Sequence, residues 1–341
     1  MTGEEEFRAV AAAHPEATDI HAEEGGLCFV RERGRLIRET AGDLLPWLLS
    51  RLPPERREEL AERGACDESF SLGSTRCRLH VYRAAGKISA AVRLLPSLAE
   101  LPDDPDGDWF EELAGLTSGL ILVTGPTGSG KTTALARLVL AISERPLHII
   151  TIEDPAEYIF TGGAALIHQR EAGRDTASFS SGVREALRED PDVIVIGEMR
   201  DEETIAAALT AAETGHLVLA TMHDASAAGA AGRIVHAFPP EKEKETRALL
   251  ASVLRAAAAQ RLWRYGEKTC LLREILMNIP AVSRLIRDGK DEQLASYMEM
   301  GTKGMRTMRQ AAGRLAERER FSPCERKALF DSLEGWGGKD R

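Results

Sequence analysis

The sequence predicts an α/β protein in two parts, a small α+β unit with an antiparallel sheet followed by a doubly wound, largely parallel sheet. Three observations carry this. Up to residue 96, short strand-type runs (27–39, 69–72, 76–83 and 88–95) surround two helical stretches at 43–52 and 53–63. From about 107 onward, continuously apolar runs alternate with helical patterns, as strands covered by helices on both faces do. Between the two, PSLAELPDDPDGD (96–108) is rich in Pro, Asp and Gly and reads as a linker.

In the second part the strands are GLILVTG (119–125), LHIITIE (147–153), LIHQRE (166–171), DVIVIGE (192–198) and HLVLATM (216–222). Helices are expected from Lys131, over 179–190 and over 202–213. After FPP at 238–240, EKEKETRALLASVLRAAAAQRL (241–262) reads as helix because alanine favours helices, and further helices end near 333. The division is therefore 1–96, a linker at 97–108, a core at 109–240, and a mostly helical C-terminal part at 241–341. No fixed-period repeat is present.

With 341 residues, 43% of them hydrophobic, the chain has material for two cores. Its 44 basic and 54 acidic residues leave a net charge of −10, which argues against non-specific binding to nucleic acid or an anionic membrane. The acidic start MTGEEEFRAV does not resemble a signal peptide, and no apolar run approaches the roughly 18 to 20 residues of a membrane span. A cytoplasmic protein without membrane insertion is expected. Its five cysteines (Cys28, Cys66, Cys77, Cys270 and Cys324) are scattered and form no C-x-x-C pair, so packing or surface thiols are expected.

The strongest motif is Gly125-Pro126-Thr127-Gly128-Ser129-Gly130-Lys131-Thr132, followed by Thr133, a full G-x-x-x-x-G-K-T between a strand and a helix. Its glycines let the backbone wrap phosphates, Lys131 reaches the β and γ phosphates of ATP, and the Thr132 hydroxyl suits Mg²⁺. DVIVIGEMRD (192–201) ends an apolar strand in an acid, which makes Glu198 the candidate to hold Mg²⁺ or its water. TIEDPAEY (151–158) places Glu153, Asp154 and Glu157 after another strand, an acidic cluster that can orient or deprotonate an attacking water. His216 and His223 bracket the strand LVLATM. Seven extended residues span roughly 23 Å, too far to share one ion, and an imidazole at the C-terminal end can sense the γ-phosphate, which favours His223.

These stretches, with LREDPDVIVIGEMRDEETIAAALTAAETGH and GRIVHAFPP, resemble the Walker A, Asp-box, Walker B and His-box signatures of the type II/type IV secretion ATPase superfamily. Within it they are most similar to the PilT family of type IV pilus retraction motors. ATDIHAEEG, GRLIRE and DESFSL resemble that family's opening PAS-like domain, so the likeness spans nearly the whole chain. It implies a PAS-like α+β domain, a RecA-like P-loop core and a C-terminal helical extension. It further implies a cytoplasmic homohexamer, recruited to the inner face of the cytoplasmic membrane, that hydrolyses ATP with Mg²⁺ and acts on an inner-membrane platform protein to drive pilus retraction and twitching motility.

By the same likeness, Glu157 corresponds to the family's catalytic glutamate, Glu198 to the Walker B acid, and His216 and His223 to the two His-box histidines that couple nucleotide to subunit geometry. Arg76, Arg78, Arg83 and Arg93 lie where the family's N-terminal domain faces an adjacent protomer's nucleotide. Arg188, Arg200 and Arg233, inside the core motifs, read as structural or interface residues.

The sequence departs from the family at two places. AVSRLIR (281–287) puts Ser283 where the retraction signature has its first arginine, with Arg284 and Arg287 flanking it. The His-box continues His223-Asp224-Ala225 in place of His-Thr, and an acid beside the histidine is expected to raise its pKa. A pilus-extension or type II secretion ATPase, and a weakly active paralogue that modulates a partner motor, remain the alternatives.

Overall fold

The structure, a computed structural model, describes residues 2–32, 34–73, 75–95, 97–266 and 268–334. Arg33 in the first strand run, Pro96 at the head of the linker and 335–341 of the C-terminal part lie outside the described residues. The chain divides into two units. One runs to Asp103 and includes Glu157–Ile159, and the other comprises Asp104–Ala156 and the chain from Phe160 onward.

The first unit opens on α1 (Gly3–Ala13), started by a reciprocal capping box between Thr2 and Glu5 and burying Phe7 and Val10. Next come β1 (Ala17–Glu23), β2 (Leu27–Glu32) and β3 (Arg35–Thr40). Helices α2 (Leu44–Ser50) and α3 (Pro54–Arg63) lead to β4 (Ala65–Leu72), β5 (Thr75–Ala84) and β6 (Lys87–Leu95). The strands form one antiparallel sheet in the order β3-β2-β1-β6-β5-β4. On β5, Cys77, Leu79 and Val81 are buried while Arg76, Arg78 and His80 point to the other face, the period-two pattern of a half-covered sheet. The sequence reading did not include α1 or β1. Each buries only two large or β-branched side chains or fewer, Phe7 and Val10 in α1 and Ile20 in β1, and so carries little pattern.

The second unit begins with α4 (Gly107–Ala114), β7 (Gly119–Thr124), α5 (Lys131–Ser143), β8 (His148–Glu153) and β9 (Leu166–Glu171). It continues with α6 (Phe179–Ala186), β10 (Val193–Ile196), α7 (Glu202–Glu213), β11 (Leu217–Met222), α8 (Ala227–His236) and α9 (Glu243–Val253). Strands β12 (Leu254–Tyr265) and β13 (Lys268–Met277) follow, then α10 (Pro280–Arg287), α11 (Leu294–Glu299), α12 (Met308–Arg318) and α13 (Pro323–Asp331). The seven-stranded sheet runs β13-β12-β7-β11-β10-β8-β9, parallel throughout except for the β12–β13 pair. Strands β7, β10 and β11 are buried along their whole length, as expected of a doubly covered sheet.

One expectation is corrected. The stretch 241–262 is not a continuous helix: α9 ends at Val253, and Leu254 onward is strand. Ala256 to Ala259 pair in parallel with Ile121 to Thr124 of β7 and are at most 1% exposed. Alanine's helix preference is worth well under 1 kcal/mol per residue over most alternatives, and a strand buried between two others outweighs it. Small side chains suit this place, because α8 packs directly on β12.

The linker composition at 97–108 also conceals anchors. Arg273 of β13, whose side chain is 1% exposed, donates to Asp104 Oδ1 at 2.6 Å, Asp104 Oδ2 at 2.7 Å and Asp106 Oδ2 at 2.8 Å. Its guanidinium stacks 4.8 Å from the Phe110 ring centroid. Arg306 pairs with the other Asp106 oxygen and donates Nε–H to Arg273 O at 2.9 Å. Burial disfavours charge on Asp104, but Arg273, the Asp106 amide and Arg137 outweigh it and hold its carboxyl below the usual range.

Arg273→Leu removes the main partner of two buried aspartates, leaving them Arg306 and a more distant Arg137, and is expected to lower stability by about 3–5 kcal/mol, read from urea unfolding of the second unit. A loss near zero would show that the cluster exchanges freely for water. Because the folded-state pKa of Asp104 is depressed, its contribution is fully present above the unfolded carboxylate value of about 3.9 and disappears as pH falls through the lower folded value. Asp104→Asn should therefore flatten the loss of stability below about pH 4.

Candidate functional site

Parallel register brings the C-terminal ends of β7, β11, β10 and β8 to one edge of the sheet, so the residues after Thr124, Met222, Ile196 and Glu153 emerge side by side. That edge is where open α/β sheets bind ligands. The end of β7 is tied to the end of β11 through Thr124, whose Oγ1 accepts the Asp224 amide at 2.7 Å and faces the carbonyls of Asp224 and Met222 at 3.0 and 3.2 Å.

The loop from Gly125 to Gly130 uses glycine where the backbone demands it. Gly128 and Gly130 have φ of 74° and 88°, in the left-handed region. A Cβ on Gly125 would lie 2.5 Å from both Gln260 O and Ser129 Oγ, so no side chain fits there. Gly130 precedes α5 without any side-chain cap, which leaves the first amides of α5 facing outward for an anion. Lys131 Nζ arches back over the loop and donates to Gly125 O at 2.9 Å and Pro126 O at 3.1 Å.

Glu198 follows β10 and is held between the His223 ring and the Arg200 guanidinium. Its Oε1 lies 2.9 Å from His223 Nε2, and its Oε2 accepts from Arg200 Nη2 at 2.6 Å. Burial alone would raise its pKa, but the Arg200 hydrogen bond and the fields of His223, Arg200 and Lys131 keep it below the usual carboxylate range. Ionised Glu198 and the Thr132 hydroxyl in the first turn of α5 are hard oxygen donors, the type Mg²⁺ takes while keeping most of its waters.

The remaining candidates separate. Glu153 is committed, accepting from Thr151 Oγ1 at 2.7 Å and Gln169 Nε2 at 3.1 Å. Asp154 is exposed, and Glu157 is half-buried with no hydrogen bond or ion pair engaging its carboxylate among the described residues. His216 is not brought to this edge. It precedes β11, at the opposite end of the strand from His223, and its Nδ1 lies 3.0 Å from Ala211 O and 3.1 Å from Thr214 Oγ1 in the last turn of α7.

The Asp224 carboxylate, expected to act on the histidine, instead accepts the Ser226 amide at 3.1 Å ahead of α8. Glu198 is the acid that touches the His223 ring. In the first unit, Arg78 and Arg93 stand directly opposite each other on β5 and β6, on the face that Arg76 shares. Arg93 pairs with Asp19 at 3.0 Å, Arg78 lies 3.9 Å from Asp67, and Arg76 donates to Ser69 Oγ at 2.5 Å. Arg83 is exposed near the end of β5.

Two residues escaped the sequence reading. Gln260 backs the loop from β12, a place hidden while that stretch was read as helix. Glu274 of β13 accepts Ala227 N–H at 2.7 Å and Met308 N–H at 3.0 Å, capping both α8 and α12. Burial pushes its carboxyl above the usual range despite those amides. A single acid in an apolar strand, EILM, was its only signal. The thiols of Cys28, Cys66 and Cys77 are buried, with pKa pushed up to about 11, 11 and 12, and Cys270 and Cys324 are likewise free. No described helix is long and apolar enough to cross a membrane.

Comparison with known proteins points to one family. Residues 88–323 match the family model described as "Type II/IV secretion system protein". The chain is 43% identical over 316 residues to the uncharacterized protein YggR of Escherichia coli K12, covering 90% of this chain and 96% of that one. It is 40% identical to the type IV pilus retraction ATPase PilT of Pseudomonas aeruginosa, over 74% of this chain and 75% of the relative. A crystal structure of the pilus retraction motor PilT with bound ADP superposes with a TM-score of 0.83 at 38% identity, covering 93% of this chain and 94% of that one. The chain is therefore a member of the type II/IV secretion system protein family.

Proposed function

We propose that the chain is an ATP-hydrolysing subunit of a hexameric motor that powers type IV pilus retraction. The observation that carries the chemistry is Glu198, ionised and touching His223, on the same sheet edge as the Lys131 loop. Likeness to the retraction motor with bound ADP supports the direction of work.

In this reading the β and γ phosphates lie against the loop amides and the first turn of α5, and Lys131 exchanges its loop carbonyls for phosphate oxygens. Thr132 and Glu198 would hold Mg²⁺, directly or through water, and the bound ion would supply neutralisation of phosphate charge. Glu157 orients a water and takes its proton as the water oxygen bonds to the γ phosphorus. The bond from that phosphorus to the bridging oxygen breaks, and ADP leaves with the electron pair. His223 communicates the state of Glu198 to the turn that begins α8, while His216 stays with α7 as a structural residue. Arg76, Arg78, Arg83 and Arg93 are assigned to an adjacent protomer's nucleotide, where cations stabilise the charge that develops in transfer. The motor works at the cytoplasmic face of the membrane on an inner-membrane platform protein.

A second reading, a paralogue that binds nucleotide and modulates a partner motor, is favoured by Ser283. Its hydroxyl donates to Ala251 O at 2.8 Å and joins α10 to α9, so no cation projects from that position.

Steady-state hydrolysis with Mg²⁺, measured with the mass in solution, separates the two readings. Turnover by a six-subunit species that Lys131→Ala abolishes is expected, and tight binding without turnover would favour the paralogue. Glu157→Gln should bind ATP normally yet hydrolyse it on the order of a hundredfold more slowly. Normal turnover in that variant would move the base to Asp154 or Glu153. Asp224→Thr should leave the shape of the pH–rate profile unchanged, since its carboxylate serves the Ser226 amide. A displaced profile would return Asp224 to the histidine.

A further inference from the structure

Gln260 ends the alanine run of β12 and is 1% exposed. Register places it one step past the Ala259–Thr124 pair, level with the start of the phosphate loop. Its own carbonyl is what bars a side chain from Gly125. Its Nε2 faces Ser129 O at 3.5 Å, the outer limit of a hydrogen bond, and lies 3.6 Å from the place a Cβ would occupy on Gly130. Its Oε1 is buried without a hydrogen-bond partner among the described residues, and so is Ser129 Oγ, although Ser129 is only 2% exposed. Native structures rarely leave such atoms unpartnered without a reason tied to the site.

We propose that Gln260 is a positioning residue for nucleotide binding, holding the Ser129–Gly130 peptide from behind so that the Gly130 N–H faces the phosphates. A peptide unit is planar and trans, so its C=O and N–H point in opposite directions. A donor that fixes Ser129 O on the β12 side turns the Gly130 N–H to the other, concave side of the loop, where phosphate oxygens are bound. Gly130, at φ 88°, holds that left-handed conformation without the strain a side chain would bring. The 3.5 Å contact tightens as the loop closes on phosphate, since a shift of about half an ångström brings it to ordinary hydrogen-bond length. Gln260 touches no nucleotide and acts only through the loop. This inference rests on the reading of the loop as an ATP site.

Gln260→Met keeps the volume and removes the amide. Expected are a KM for MgATP and a Kd for methylanthraniloyl-ADP each raised about tenfold, which corresponds to about 1.4 kcal/mol. kcat should stay within about twofold, the signature of an interaction made equally in ground and transition states. The melting temperature without nucleotide should be unchanged or higher, because a buried Oε1 without a partner is gone and the Nε2 contact given up is only a 3.5 Å one. A lower melting temperature with unchanged KM and Kd would make Gln260 a packing residue and overturn the proposal. Should the Met variant not fold, Gln260→Asn, which withdraws the donor by one methylene, must show the same rise in KM and Kd, and wild-type values there would overturn it. A wild-type chain that binds no ADP overturns the site reading itself. One that binds ADP, loses it on Lys131→Ala and keeps it on Gln260→Met overturns the Gln260 proposal alone.

Discussion

The pairing of β12 with β7 is the constraint on which the site depends. It presses the backbone at Gln260 onto the first loop residue, and the loop can take that path only because position 125 has no side chain. The same pairing explains the alanines. Ala256 to Ala259 sit between two strands with α8 packed over them, and larger residues would push α8 outward. Since α8 begins immediately after the His223–Asp224 turn, its distance from the sheet also sets where the histidine stands. The C-terminal half of the second unit is thus part of the nucleotide site from the first strand it contributes.

Strand β13 carries two adjacent buried ionisable side chains with opposite solutions. Arg273 is neutralised by two aspartates and an aromatic face, so its charge is matched by charge. Glu274, on the other face, has no cation within hydrogen-bond reach among the described residues and is satisfied by the first amides of α8 and α12. Helix N-termini present partial positive charge and unpaired N–H groups, which suits a carboxylate at modest electrostatic gain. Removing either residue orphans its partners, but the consequences differ. Loss of Arg273 leaves charges unpaired, whereas loss of Glu274 leaves two helix starts loose, one of them the helix that follows His223.

Much of this was legible in the sequence, for identifiable reasons. The phosphate loop, Glu198 and the alternating strands and helices from 119 to 222 are local patterns, each fixed by a few neighbouring residues. What stayed hidden is long-range. Ala256 to Ala259 have helical preference and become strand only because β7 and β13 flank them. Asp104 and Asp106 look like linker residues until Arg273, nearly 170 positions away, is folded against them. The two ends of β11 already separate His223 from His216 in the sequence, because the phosphate loop lies at the C-terminal end; what His216 touches instead, Ala211 and Thr214, was not legible. Asp224 adjoins His223 in the sequence, while the turn directs its carboxylate to the Ser226 amide, a contact the sequence does not show.

Glu198 stands between two partners of different kinds: His223 Nε2 lies 2.9 Å from its Oε1, and Arg200 donates to its Oε2 at 2.6 Å. Arg200, the other partner of Glu198, is 70% exposed, and such a surface ion pair is worth little and is weakened by salt. Arg200 can therefore leave Glu198 at small cost, while His223 follows directly on the buried strand β11. The acid thus has one disposable partner and one anchored partner, and the anchored one stands at the turn into α8, so the two sides of Glu198 differ in how readily they give way.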